Sequence, residues 1–285
     1  MNSETTLVAS PTTVAAPLAS PMPTAVAPMT SSRAIMLRRL ELKYVVDRTT
    51  RTALARDLAA LMCPDTHAGS DGVYLVRSLY FDTPDYMAYQ EKLSGAAIRH
   101  KLRVRVYGQD LSQIPLIRLE VKSRYLNFVH KITADVPRED YREIECAFKQ
   151  RTLPPARLLD NDGLKEFFRL QRLYNMEPKI IVQYRRQAFE RKEASRVRVS
   201  LDDELLATRH LDLFGPLCGA RCLLQPGHAV FEIKVDGTLP YWLHLLISKY
   251  NLQNEAVSKY CYAVRGEGRF SATGREEEYF LRDSS

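Results

Sequence analysis

The sequence predicts an α+β protein in which a curled antiparallel β-sheet lines a wet, charged interior and helices pack outside it. Three observations lead there. The stretch Arg99 to Tyr107 reads Arg-His-Lys-Leu-Arg-Val-Arg-Val-Tyr. Strand residues point alternately to opposite faces, so Arg99, Lys101, Arg103 and Arg105 share one face while Leu102, Val104 and Val106 share the other. The pattern then recurs. Arg39, Glu41 and Lys43 alternate with Leu40, Leu42 and Tyr44; Arg118, Glu120, Lys122 and Arg124 alternate with Leu119 and Val121. Tyr184 and Arg186 share a face, as do Arg198 and Asp202, and Glu232 and Lys234 flank Ile233. Finally, regular βαβ alternation is missing, which argues against a parallel doubly wound sheet. Apolar strand faces must be buried and helices are available to cover them, so the charged faces converge on one another.

The totals narrow the partner. In 285 residues, 41 Lys and Arg against 34 Asp and Glu give a formal charge of +7. That favours an anion and leaves nucleic acid, phosphate compounds and anionic lipid open. The apolar share of 45% is that of an ordinary globular protein. Five cysteines, Cys63, Cys146, Cys218, Cys222 and Cys261, have irregular spacing without a second pair at zinc-finger distance, so reduced thiols in a cytoplasmic protein are expected. No apolar run approaches the roughly 20 residues of a membrane span, and the N-terminus lacks the basic start and apolar block of a secretory signal. Any membrane contact is expected to come from another chain.

Taken in order, residues 1–33 are Ala, Pro, Thr, Ser and Val with almost no charge, a composition that predicts a disordered tail. Residues 34–265 are read as one domain and 266–285 as a polar tail. Met36 to Val46 is the first strand; Asp47 then caps a helix carrying Leu54, Leu58 and Leu61, to about Cys63. A loop over 67–72 leads to a strand from Val73 to Phe81. Asp82 or Thr83 caps a short helix through Tyr86, Tyr89 and Leu93, with Pro84 suited to its first turn, and Gly95 breaks it ahead of the basic strand. Ile117 to Arg124 and Phe128 to Val136 form the next two strands. Pro137 starts a helix through Tyr141, Ile144 and Phe148, and another runs from Asp162 to about Tyr174. Pro178 to Glu190 and Arg196 to Leu205 read as a hairpin around a charged turn. Periodicity is weak over 211–225. His228 to Val235 is the last clear strand, Pro240 begins an aromatic-rich helix to Tyr250, and Ser258-Lys259-Tyr260 follows.

With these segments placed, the sequence resembles the VTC domain, the polyphosphate polymerase module of the CYTH or triphosphate tunnel metalloenzyme superfamily. The residues carrying the resemblance are Glu41-Leu42-Lys43-Tyr44, Ser78-Leu79-Tyr80-Phe81-Asp82-Thr83-Pro84 and Lys101-Leu102-Arg103-Val104-Arg105-Val106-Tyr107-Gly108. They continue with Leu119-Glu120-Val121-Lys122, Tyr184-Arg185-Arg186, Val199-Ser200-Leu201-Asp202, Phe231-Glu232-Ile233-Lys234 and Ser258-Lys259-Tyr260. The resemblance implies an eight-stranded antiparallel tunnel that binds ATP through its phosphates with Mn2+ or Mg2+ and moves the terminal phosphoryl onto inorganic polyphosphate. The wider superfamily often has Glu-x-Glu-x-Lys on its first strand, and Arg39 stands at the first Glu here. That departure favours a phosphate-chain enzyme over a two-Glu metal triphosphatase.

Phosphoryl transfer needs charge neutralisation and in-line positioning more than a covalent protein nucleophile. The resemblance therefore implies Lys43, Arg103, Arg105, Lys122, Lys131, Arg186 and Lys259 as phosphate ligands. Arg99, Lys101, Arg198 and Lys234 are further candidates for guiding the polymer, and Tyr184 for a hydrogen bond to phosphate. Glu232 is the first candidate metal ligand by family position, followed by Glu41, Glu120 and Asp202, the alternative being that these acids hold the basic side chains in place. A P-loop is absent. A hydrolase of the same fold and a non-catalytic polyphosphate binder are the rival readings. Nucleic acid is not expected, because the basic strand lacks interleaved aromatic platforms.

Overall fold

The computed structural model describes residues 39–266 apart from 67, 70, 71, 109, 127 and 193–195. The expected N-terminal tail, 1–33, lies outside the described residues, as do positions 36–38 of the predicted first strand and, beyond Gly266, the expected C-terminal tail, 266–285. The chain opens with β1 (Arg39–Val46), α1 (Arg48–Leu61), the two-residue β2 (Cys63–Pro64) and β3 (Val73–Asp82). It continues through α2 (Met87–Leu93), β4 (Ile98–Gly108), β5 (Leu116–Tyr125) and β6 (Phe128–Pro137). Then come α3 (Tyr141–Gln150), α4 (Asp162–Leu173), β7 (Glu177–Lys192) and β8 (Arg196–Thr208). The two-residue β9 (Arg221–Cys222), β10 (Ala229–Asp236), α5 (Tyr241–Lys249) and α6 (Lys259–Arg265) complete it.

The long strands form one antiparallel sheet in the order β1-β10-β8-β7-β3-β4-β5-β6, with β2 added to β7 and β9 to β8. The sheet is curled, and its convex face carries two apolar cores. Leu102, Val104, Leu119 and Val121 pack under α3 and α4 through Ile144, Phe148, Phe167 and Phe168. There Phe81 meets the edges of Phe148 and Phe167 at 5.1 and 5.2 Å, a favoured aromatic arrangement. Tyr44, Val199, Leu201, Phe231 and Ile233 pack under α1 and α5 through Leu54, Leu58, Leu243 and Leu246. Each fully buried Leu or Phe stabilises the fold by roughly 1.5–3 kcal/mol, which is what the period-2 apolar rows supply.

Two helix starts differ from the sequence reading. Pro84 precedes α2 rather than occupying its first turn, and Tyr86 at φ 62° leads into the helix. Asp82 is buried, and the backbone N–H groups of Thr83, Ala88 and Tyr89 all donate to its carboxylate; satisfying a buried acid moves the helix start downstream. Pro137 introduces a 3-10 turn at Arg138–Asp140 before α3 begins. The predicted N-cap Asp47 holds, accepting from Thr50 N at 2.8 Å.

The concave face is not wet throughout. A third core of Tyr74, Val76, Tyr80, Ile180, Val182 and Val230 lies on it, covered by Val257, Tyr260, Cys261 and Val264. Helix α6 therefore packs inside the curl. The chain reaches it along the free edge of β1, where Glu255 N donates to Lys43 O at 2.8 Å and Lys43 N to Asn254 Oδ1 at 3.1 Å. Pairing this edge removes a template for aggregation and delivers Lys259 to the interior.

Candidate functional site

Strand alternation and antiparallel register decide which side chains face inward. On β4, Arg105 pairs with Ser78 and Arg103 with Tyr80; on the other side Lys101 pairs with Lys122 and Arg103 with Glu120. Lys131 lies opposite Lys122. Across the sheet, Arg186 pairs with Asp202, Lys234 with Arg198, and Lys43 with Glu232. Every sequence-predicted site residue on these strands thus projects from the concave face, and α6 adds Lys259.

Within this face the charges form two connected groups. In the first, Arg186 holds Asp202 through two parallel bonds of 2.6 and 2.7 Å, the geometry that suits a guanidinium to a carboxylate. Lys259 Nζ reaches the same acid at 2.7 Å. Arg186 Nη2 also lies 3.7 Å from Glu232, whose other oxygen is 2.9 Å from Lys234 Nζ and 3.8 Å from Lys43 Nζ. Lys43 in turn meets Glu41 at 2.8 Å, and Glu41 meets Lys122 at 3.6 Å. In the second group Glu120 pairs with Arg103 and Lys131 and lies 3.8 Å from Arg105. Arg105 Nε donates to Ser78 Oγ at 2.8 Å.

The protonation states follow from this crowding. Burial alone would raise the Glu232 carboxyl, but Lys234, Lys43, Lys259 and Arg186 overcome it and hold the acid well below the usual carboxylate range. Asp202 is lowered because Arg186 and Lys259 outweigh burial, and Glu120 because Arg103, Arg105 and Lys131 do. Lys234 moves the other way. Burial pushes its ammonium down to about 8, despite the neighbouring Glu232. Burial also lowers Lys101, for which no acidic partner is seen among the described residues.

Not all candidates converge. Arg198 turns to Asp65 and lies 3.6 Å from Glu190, and Arg99 meets the carbonyl of Glu91 at 3.5 Å. Tyr184 sits under Arg186 and Lys259, with the cations 5.2 and 4.9 Å from the ring centroid. The four candidate metal carboxylates remain apart: no group of three His, Cys, Asp or Glu side chains able to hold a metal occurs among the described residues. Asp202 and Glu120 are held by guanidinium and ammonium groups, as Glu232 is by Lys234, Lys43 and Arg186, and Glu41 and Glu232 repel each other across Lys43. Two hard oxygen donors fit Mg2+ or Mn2+ only as a partial shell completed by phosphate oxygens and water.

Sequence reasoning missed Ser78 and Tyr80, although Ser-Leu-Tyr alternation on β3 placed both opposite the basic strand. Tyr80 Oη lies 3.4 Å from Arg103, and its ring stacks on Tyr260 at 5.3 Å. Arg103, Arg105 and Lys259 offset its burial and bring the phenol down to about 8. Asp65, the partner of Arg198, sits in a loop without periodicity and left no such signal.

A curled antiparallel sheet whose concave face gathers Lys and Arg from seven strands and α6 defines a tunnel-type protein suited to a linear polyanion. The chain belongs to the VTC domain family, whose model matches residues 38–266. No curated protein matches it. Among solved structures it is similar to a proposed adenylate cyclase from Bacillus halodurans, at 13% identity over 78% of this chain and 95% of that one, TM-score 0.45. It is also similar to a proposed adenylyl cyclase from Hippeastrum described as having a dominant triphosphatase activity, at 15% identity over 82% and 97%, TM-score 0.48. A protein from Pyrococcus horikoshii aligns at 12% identity over 81% and 99%, TM-score 0.43.

Proposed function

We propose that this chain is a polyphosphate polymerase: it transfers the terminal phosphoryl of ATP to a growing inorganic polyphosphate chain and releases ADP. One observation carries the reading. Lys43, Arg103, Arg105, Lys122, Lys131, Arg186, Lys234 and Lys259 come from β1, β4, β5, β6, β7, β10 and α6, yet all face one concavity. Its family, read from residues 38–266, agrees with chemistry on phosphate chains.

In this reading Arg103, Arg105 and Arg186 grip phosphate oxygens, each already oriented by Glu120, Ser78 or Asp202, so little side-chain freedom is lost on binding. Lys43, Lys122, Lys131 and Lys259 neutralise the charge on triphosphate and product with more mobile ammonium groups. Lys101 and Lys234 extend the track for the polymer, and Tyr184 fixes Arg186 and Lys259 from below. Glu232 and Glu41 would hold the divalent cation, which when bound neutralises charge on phosphate oxygens during transfer. Glu120 and Asp202 act as organisers of the arginines. ATP and polyphosphate are the partners.

Incubation of the purified chain with ATP and Mn2+, resolved on a polyacrylamide gel, tests the proposal. A ladder of long phosphate polymer with stoichiometric ADP is expected. Release of ADP and orthophosphate alone would make water the acceptor and the protein a hydrolase, and inertness with every divalent metal would leave a polyanion-binding module.

A further inference from the structure

Beside the ion pairs of the concavity lies a buried hydroxyl whose proton has nowhere to go. Tyr80 projects from the concave face of β3, and register sets it between Arg103 of β4 and Ile180 of β7. Its ring stacks on Tyr260 of α6, and the residue is only 7% exposed. A phenol has both lone pairs to receive a hydrogen bond and a proton to give. The lone pairs are served, since Arg103 Nη1 donates to Tyr80 Oη at 3.4 Å. The proton is not: among the described residues no carboxylate, carbonyl or hydroxyl oxygen accepts it. Ser78, the preceding residue on the same face, differs in being fully buried beneath Arg105, whose Nε donates to its hydroxyl.

The charges that act on this phenol have one sign. Arg103, Arg105 and Lys101 come from β4, Lys259 from α6 and Lys43 from β1. Guanidinium and ammonium groups only donate. From β7 the neighbours are Ile180 and Val182, and Tyr86 and Tyr89 of α2 complete the same core. The acids that touch these neighbours are committed elsewhere. Asp82 receives Tyr260 Oη and three backbone N–H groups, and Glu120 pairs with Arg103 and Lys131. A buried O–H without an acceptor is costly. A water would take the proton but leave the positive charge unanswered, whereas an oxyanion answers both.

We infer that Tyr80 is a further phosphate-binding residue, its hydroxyl donating a hydrogen bond to the phosphoryl oxygen that Arg103 grips. The inference rests on the reading of the concavity as a phosphate-chain site, and adds a neutral donor to a set of cations. It also ties binding to pH. Burial, opposed by Arg103, Arg105 and Lys259, leaves the phenol at about 8. Above that pH the oxygen has no proton to give and repels an anion, so Tyr80 weakens phosphate binding as pH rises from 7 to 9.

Calorimetric titration of the full chain with inorganic tripolyphosphate at pH 7 and pH 9 tests it, comparing Tyr80→Phe with a reference that keeps the tyrosine. Both proteins carry Lys234→Arg, so that the lysine at about 8 does not titrate, and comparison at each pH cancels the ligand's own ionisation. Tyr80→Phe retains the ring against Tyr260, so its urea midpoint should match the reference. Its dissociation constant at pH 7 should rise about tenfold, the worth of a hydrogen bond to a charged group, and the gap should close or reverse at pH 9. Fluorotyrosine placed at this position keeps every contact with a more acidic phenol, and should move the weakening to lower pH. An affinity at pH 7 within about twofold of the reference, a gap unchanged at pH 9, or an unshifted profile with fluorotyrosine would overturn the inference and leave the phosphate-chain reading standing. A reference protein that does not bind tripolyphosphate would overturn both.

Discussion

Lys122 Nζ on β5 lies 3.6 Å from Glu41 Oε2 on β1, although β10, β8, β7, β3 and β4 stand between those strands in the sheet. A flat sheet would hold strands six steps apart at a distance of roughly 4.8 Å per step, so this pair measures the curl. It also joins the Glu41–Lys43–Glu232 group to the basic strands.

Because both partners are partly solvated, at 47% and 30% side-chain exposure, the pair adds little to stability, at most about 1 kcal/mol. Lys122→Ala should leave the urea midpoint nearly unchanged while weakening polyphosphate binding, read by competition with a labelled chain. A large fall in stability with unchanged binding would show the residue to be structural.

Asp202 presents the opposite case. It is fully buried between Arg186 and Lys259, and breaking a buried ion pair by removing one partner costs about 3–5 kcal/mol. Asp202→Asn should lower the unfolding free energy in urea by that order. The depressed carboxyls of Asp202, Glu120 and Glu232 contribute stability that is complete above the ordinary carboxylate range. It is lost as acid protonates them, so the parent's urea midpoint should fall steadily below about pH 4.

Among the described residues, Glu232 is the one acid in contact with Lys43, Lys234 and Arg186 together. Glu232→Ala should abolish polymer synthesis while leaving polyphosphate binding largely intact, because the cations that grip phosphate remain. Turnover within a few-fold of the parent in the presence of Mn2+ would remove Glu232 from the metal and catalytic roles.

The ammonium of Lys234, at about 8, gives the site a handle on pH. It loses its charge as pH rises from 7 to 9, so ATP KM should increase over that interval, and Lys234→Arg should flatten the rise. In the unfolded chain this lysine stays protonated to about 10.4. The unfolded state therefore binds more protons between about 8 and 10.4, and this group's contribution to stability grows with pH there. An unchanged KM profile in the arginine variant would detach Lys234 from substrate.

Much of this was written in alternation. The rows Arg99, Lys101, Arg103, Arg105 and Glu41, Lys43 announce a charged face wherever a strand forms, and Leu54 and Leu58 announce the helix that covers its apolar side. Asp65 could not be found that way, since a loop residue has no period, and α6 could not be placed, since Lys259–Arg265 reads equally well as a helix on either side of the sheet. The pairing of Glu120 with Arg103 and Lys131 was also hidden, because it depends on which strands become neighbours.

By itself, then, the sequence determined which side chains share a face, because a strand's period of two is a property of the local backbone. Only the tertiary structure decided that those faces close around one space and that α6 enters it. Those outcomes depend on curl and strand order, which bring together residues as distant in the chain as Glu41, Lys122, Glu232 and Lys259.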